Sequence, residues 1–116
     1  MQELSIERDV SGGSRNVSVL RLNGNLNINT VFILESVLAE CFSDKHFQIV
    51  LDLKNLKYTS SAGIGIIMNA ARDARKQKGD VRLSDVHPDI RRIFDLLGFS
   101  RIIRLFDSET DAVGSF

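Results

Sequence analysis

The sequence predicts an α/β domain: a mostly parallel sheet of about five strands, one of them antiparallel and supplied by an N-terminal hairpin, with about four helices. Three observations lead there. Two alternating segments flank a Ser-Gly-Gly-Ser turn, helical stripes recur further along, and short, strongly apolar runs separate those stripes. At 116 residues a chain buries roughly two-thirds of the surface its unfolded form exposes. That suffices for one core, and residues 1–116 read as a single domain with no linker or repeat.

The elements follow in order. Leu4, Ile6, Arg8 and Val10 alternate with polar neighbours, Ser11 to Ser14 turn the chain, and Val17, Val19, Leu20 and Leu22 return it, which is a hairpin pattern. Val31, Leu34, Val37, Leu38, Cys41 and Phe42 then recur every three or four residues, with Thr30 placed as N-cap, so a helix is expected. Residues 47–53 are almost continuously apolar, the composition of a central strand covered on both faces. Gly63, Ile66, Ile67, Ala70, Ala71 and Ala74 form a second stripe. Arg72, Arg75, Lys76 and Lys78 complement the negative end of that helix before Gly79. Residues 80–84 alternate around Val81 and Leu83. Pro88 suits a first helical position, Ile90, Ile93, Phe94 and Leu97 form the next apolar face, and Gly98 ends it. A last strand is expected over residues 101–106, and Ser108 caps a short helix containing Ala112 and Val113. Each strand-helix-strand step should cross over right-handed and leave its strands parallel.

Composition narrows the function. Fifteen basic and fifteen acidic residues balance to zero, so nothing favours a polyanion, and nucleic-acid binding is unsupported. No apolar stretch approaches the roughly 20 residues that span a bilayer, and membrane insertion is not expected. Met1, Gln2 and Glu3 lead straight into patterned sequence without the marks of a secretory signal, and the single Cys41 cannot pair internally, so a reducing, cytoplasmic setting is expected. His46, His87 and Cys41 are scattered without ligand spacing, so no metal or other cofactor is assigned.

In a mostly parallel sheet, functional loops gather beyond the carboxyl ends of the strands. Residues 24–30, 54–61 and 84–87 occupy such places. The middle segment is the most informative: Tyr58, Thr59, Ser60, Ser61, Ala62, Gly63, Ile64, Gly65 sets hydroxyls among small residues at the mouth of a helix. A phosphate on Ser61 would meet unpaired backbone N–H groups and a partial positive charge. Equally, Ser60 or Ser61 serves simply as the helix cap. Asn27 and Asn29 suit a turn or a partner contact, and Tyr58 and Ile64 suit either core packing or an interface. A hydrolase elbow needs Gly two positions before the serine, where Thr59 stands. Gly-Lys-Ser/Thr phosphate loops are missing, and Gly63-Ile64-Gly65 lacks a third glycine. The chain does not read as an enzyme.

Asp52-Leu53-Lys54-Asn55-Leu56 followed by Thr59-Ser60-Ser61-Ala62-Gly63-Ile64-Gly65 resembles the phosphorylation segment of STAS-domain anti-sigma factor antagonists. Gly24-Asn25-Leu26-Asn27 with Thr30 resembles that family's Gly-Glu-Leu-Asp segment and its following Thr. The run from Ile90 to Phe99 resembles its third helix, and Ile102-Ile103 its final strand. The resemblance implies a STAS-like fold and a phosphorylated hydroxyl two residues before the motif glycine, which is Ser61. It also implies a partner surface of Asn25, Asn27, Tyr58, Ser60, Ser61, Ala62, Gly63 and Ile64. Where many members are acidic, this chain has Asn25, Asn27 and Ser60, which makes the site less negative.

On that resemblance the unmodified chain docks on an anti-sigma factor that is also a serine kinase of the GHKL type. Phosphorylation of Ser61 releases it, and a PP2C-type serine phosphatase restores it. The alternative keeps the fold without the switch, as a constitutive scaffold or a transporter-associated STAS subunit.

Overall fold

The computed structural model describes residues 3–116. In chain order it holds β1 (Leu4–Ser11), β2 (Val17–Leu26), α1 (Val31–Ser43), β3 (Gln48–Thr59), α2 (Ser61–Lys76), β4 (Asp80–Ser84), α3 (Pro88–Leu96), β5 (Leu105–Phe106) and α4 (Glu109–Gly114). The strands form one sheet in the order β1-β2-β3-β4-β5. β1 and β2 pair antiparallel as the hairpin requires, and every later pair is parallel.

Alternation along the strands sorts the side chains onto two faces. Leu20, Leu22, Ile49, Leu51, Leu53, Val81 and Leu83 face α1, α2 and α3 and make the main core with Leu34, Leu38, Cys41, Ile67, Ala71 and Phe94. On the other face Val17, Val19 and Val50 pack under Ala112 and Val113 of α4. Next to these valines the cover is polar, because Arg21, Asp52 and Ser84 are register partners across β2, β3 and β4. Arg21 there holds Glu109 of α4 through two bonds of 2.9 and 2.8 Å and reaches Glu7 of β1 at 2.9 Å.

Three expectations need correction. The central strand does not stop at Leu53 but runs to Thr59, pairing Asn55, Leu56, Tyr58 and Thr59 with the extended end of β2. Since β4 ends opposite Asp52, this stretch has β2 alone as a neighbour, which is why it carries Lys54, Asn55 and Lys57 and reads as a loop. The expected strand over residues 101–106 shrinks to Leu105–Phe106. Gly98, at φ 71°, instead turns the chain into a 3-10 turn, Phe99–Arg101, that buries Phe99 against Phe94 with ring centres 4.6 Å apart. On α3 only Ile90 and Phe94 are buried, while Ile93 and Leu97 stand exposed because a nine-residue helix offers the sheet a narrow stripe.

Candidate functional site

The site is built where β2 and β3 leave the sheet together. Asn25 lies opposite Tyr58 and Leu26 opposite Thr59, and the Ser60 N–H donates to the Leu26 carbonyl at 2.8 Å. This pairing brings residues 24–30 beside residues 58–61. The loop at residues 84–87 meets β3 further back, through His87 Nε2 and the Lys54 carbonyl at 2.9 Å, and no hydrogen bond ties it to Ser60 or Ser61.

The two candidate serines separate cleanly. Ser60 is the N-cap of α2, extended at φ −92° and ψ 170°, with its Oγ accepting the Gly63 N–H at 3.3 Å. Ser61 is the first helical residue and is exposed. Its hydroxyl makes no hydrogen bond within the described residues. The first N–H groups of any helix lack intrahelical partners, and the first turn of α2 carries no acidic side chain. An anion at Ser61 therefore meets a favourable helix end.

Gly63 makes this geometry possible. A Cβ there would sit 2.7 Å from the Leu26 side chain and 2.8 Å from Thr59 Oγ1, so the helix can begin this close to β2 only on a bare backbone. Ala62 is partly exposed beside Ser61. Ile64, at 6% exposure, is a core residue, and Gly63 is buried as well. The expectation that the side chain of Ile64 meets a partner is thus corrected: one position further round the helix, it faces the sheet.

The neighbouring loop is held by its own polar groups. Thr30 Oγ1 accepts the Asn27 N–H at 2.9 Å and donates to the Asn25 carbonyl at 2.8 Å. Thr30 therefore closes the loop and makes no side-chain cap for α1. Asn27 Oδ1 accepts the Asn29 N–H at 2.9 Å, a side-chain-closed turn, and its Nδ2 donates to Glu3 at 3.3 Å. Asn25 is partly exposed opposite Tyr58.

Tyr58 is 52% exposed, and two apolar side chains join it on this end of the molecule: Ile28 at 74% and Phe32 at 61%. Sequence reasoning missed both. The signal was present, since Ile28 sits between two turn-forming asparagines and Phe32 falls off the apolar stripe of α1. Among the described residues no group of three or more His, Cys, Asp or Glu is placed to hold a metal ion, and no helix is long and apolar enough to cross a membrane.

The STAS domain family model matches residues 11–112. The chain belongs to the STAS domain family. This STAS domain is 30% identical over 100 residues to the anti-sigma F factor antagonist of Paenibacillus polymyxa, covering 85% of this chain and 86% of that one. Its fold superposes on the Bacillus anti-sigma factor antagonist SpoIIAA in its unphosphorylated form with a TM-score of 0.79 at 20% identity, covering 96% and 95% of the two chains. Against the phosphorylated form of SpoIIAA the TM-score is 0.73, also at 20% identity, covering 96% and 98%. The STAS domain thus sets a capped helix, an exposed serine and an apolar rim at one end of its sheet.

Proposed function

We propose that this STAS domain is an anti-sigma factor antagonist, a protein-binding module switched by phosphorylation of Ser61. One observation carries the reading: Ser60 takes the cap, which leaves Ser61 exposed and unbonded at the head of α2. A capping serine would have to surrender its bond to Gly63 before modification; Ser61 surrenders nothing. The name of the Paenibacillus relative supports the assignment of function.

In the unmodified state the partner, an anti-sigma factor with GHKL-type serine kinase activity, seats on Tyr58, Ile28 and Phe32 around Ser61 and Ala62. Aromatic side chains at the centre of such a patch carry a large share of binding energy. A phosphate adds about 1.5 to 2 negative charges and a hydration shell at the middle of that contact. Docking then requires desolvating it, so the complex parts while the fold stays as it was. A PP2C-type phosphatase, with its own metals, reverses the step. Both chemical activities belong to these partners.

The test combines intact mass and peptide mapping of protein from its native cells with binding of variants to the anti-sigma partner. A phosphatase-sensitive phosphate on Ser61 is expected, together with partner binding retained by Ser61→Ala and lost by Ser61→Asp. Equal binding by wild type and Ser61→Asp, with no phosphate under any growth condition, would replace the switch by a constitutive scaffold.

A further inference from the structure

α1 and α2 both start at the carboxyl ends of adjacent parallel strands, so they run side by side from the Ser61 end of the molecule. Between them lies an open groove of about 310 Å³ whose floor includes Leu38, Phe42, Ile66 and Ala70, with Glu35 and Asp73 on its rim. No Lys, Arg or His lines it. Neither Glu35 nor Asp73 makes an ion pair among the described residues. Residues 27–44 contain Glu35, Glu40 and Asp44 and no Lys or Arg, and among the described residues only Asp44 is ion-paired, with Arg8 at 3.0 Å.

The opposite flank of α2 has the reverse sign. There Arg72, Arg75 and Lys76 rim a second groove of about 400 Å³ over Met68 and Ile102. In a chain of zero net charge, α2 therefore has carboxylates toward one groove and cations toward the other, with Arg72 reaching Asn69 at 3.4 Å on the boundary and Arg75 paired with Asp80 at 2.9 Å.

The two helices that wall the acidic groove also lead back to the proposed switch surface, since α2 begins at Ser61 and α1 follows the 24–30 loop. Phe32, Glu35, Ala39 and Phe42 fall at i, i+3, i+7 and i+10 on one stripe of α1, and the exposed Phe32 marks its upper end. Ala62, directly after Ser61, begins the facing stripe of Ile66, Asn69 and Asp73. At about 1.5 Å per residue the stripe extends about 15 Å, close to three helical turns. An apolar floor of that length under an acidic rim fits an amphipathic helix with Lys or Arg on its flanks, and it repels anionic lipid and nucleic acid.

We propose that the α1–α2 groove is the docking site for a Lys/Arg-bearing amphipathic helix of the protein that acts on the Ser61-phosphorylated form. A phosphate on Ser61, at the head of the helix that forms one wall, adds charge of the same sign as Glu35 and Asp73. It strengthens the attraction for a cationic helix while it ejects the partner of the unmodified form. This last step rests on Ser61 being the acceptor; binding of the helix to the unmodified chain does not.

The experiment titrates ¹⁵N-labelled protein with a synthetic amphipathic Leu/Lys helical peptide about four turns long, and with a second peptide bearing Glu in place of Lys. Shifts confined to α1 and α2 around Phe32, Glu35, Phe42, Ile66 and Asp73 are expected with the first peptide and none with the second. Glu35→Gln with Asp73→Asn should weaken binding about threefold and Glu35→Lys with Asp73→Lys about tenfold or more; the milder pair keeps the test valid if the charge reversal unfolds the protein. Ser61→Asp should bind the peptide at least as tightly as wild type. Binding on the Ile102 side of α2, binding indifferent to both double variants, or no binding would overturn the groove. Weaker binding by Ser61→Asp would overturn its assignment to the phosphorylated form. Failure of the switch reading shows separately, as anti-sigma partner binding unaffected by Ser61→Asp.

Discussion

Adjacent serines with the same side chain have different surroundings here, and the difference is one backbone position. Ser60 is still extended and can turn its Oγ back to Gly63, whereas Ser61 is already helical and points away. Ser60→Ala should therefore cost about 1 kcal/mol of stability, the usual worth of a cap, while Ser61→Ala should change it by less than about 0.5 kcal/mol. Urea denaturation of the two variants checks this. Gly63→Ala is the sharper lesion. Its methyl would meet Leu26 and Thr59 at under 3 Å, and the helix start would have to shift, at about 1–3 kcal/mol. The resemblance of the motif points to Ser61 as the proposed acceptor. That Ser60 holds the cap was not legible in the sequence, because two neighbouring hydroxyls satisfy the same sequence signal. Ile64 was open to either core or interface in the sequence, and the helical turn that starts at Ser61 sends it into the core.

At the scale of elements, the docking of α4 has an electrostatic logic. Asp52 lies buried beside Glu109, and burial first, then the hydrogen bond it shares with Glu109, push its pKa up to about 6 from 3.8. Glu109 is held below its ordinary value by hydrogen bonds from Arg21. Asp85 also faces Asp52, and Glu7 and Asp9 share Arg21. A carboxyl whose native pKa is raised binds its proton more tightly folded than unfolded. Its contribution is complete below about pH 3.8 and disappears as the pH climbs through about 6. Glu109 works the other way, losing its contribution as pH falls through its lowered value. Stability should therefore decline between about pH 4 and pH 6 on account of Asp52. Asp52→Asn should remove that decline and be at least as stable as wild type at pH 7, as thermal unfolding across the pH range will show. Composition does not reveal this cluster, since its members come from β2, β3 and α4 and meet only through the sheet register.

For the molecule as a whole, the proposed switch asks for little motion. Ser61 stands at the end of a helix whose stripe of Ile67, Ala70, Ala71 and Ala74 is packed into the core, and interiors at that density do not deform continuously. A charge placed on Ser61 should thus leave the fold intact. The ¹⁵N spectrum of Ser61→Asp is expected to differ from wild type only around residues 24–32 and 58–66, with a melting temperature within a few degrees. Shifts spread through β1 or α4 would point to a global change in place of a local charge block.

The sequence by itself determined the hairpin, the alternation of helices and strands, and the parallel sheet with one antiparallel strand. All of these rest on local signals, periodicity and turn and cap residues, that a linear reading can register. Tertiary structure alone decided how far β3 extends, which serine caps α2 and which apolar residues stay outside. Lys54, Asn55 and Lys57 look like a loop until β2 pairs with this stretch through Asn55, Leu56, Tyr58 and Thr59. The pattern along the chain hints that Ile28 and Phe32 lie outside the core, but only the packing shows them uncovered on the same end as Tyr58. Pairing and burial are relations between distant residues, and a pattern read along the chain holds only one side of each.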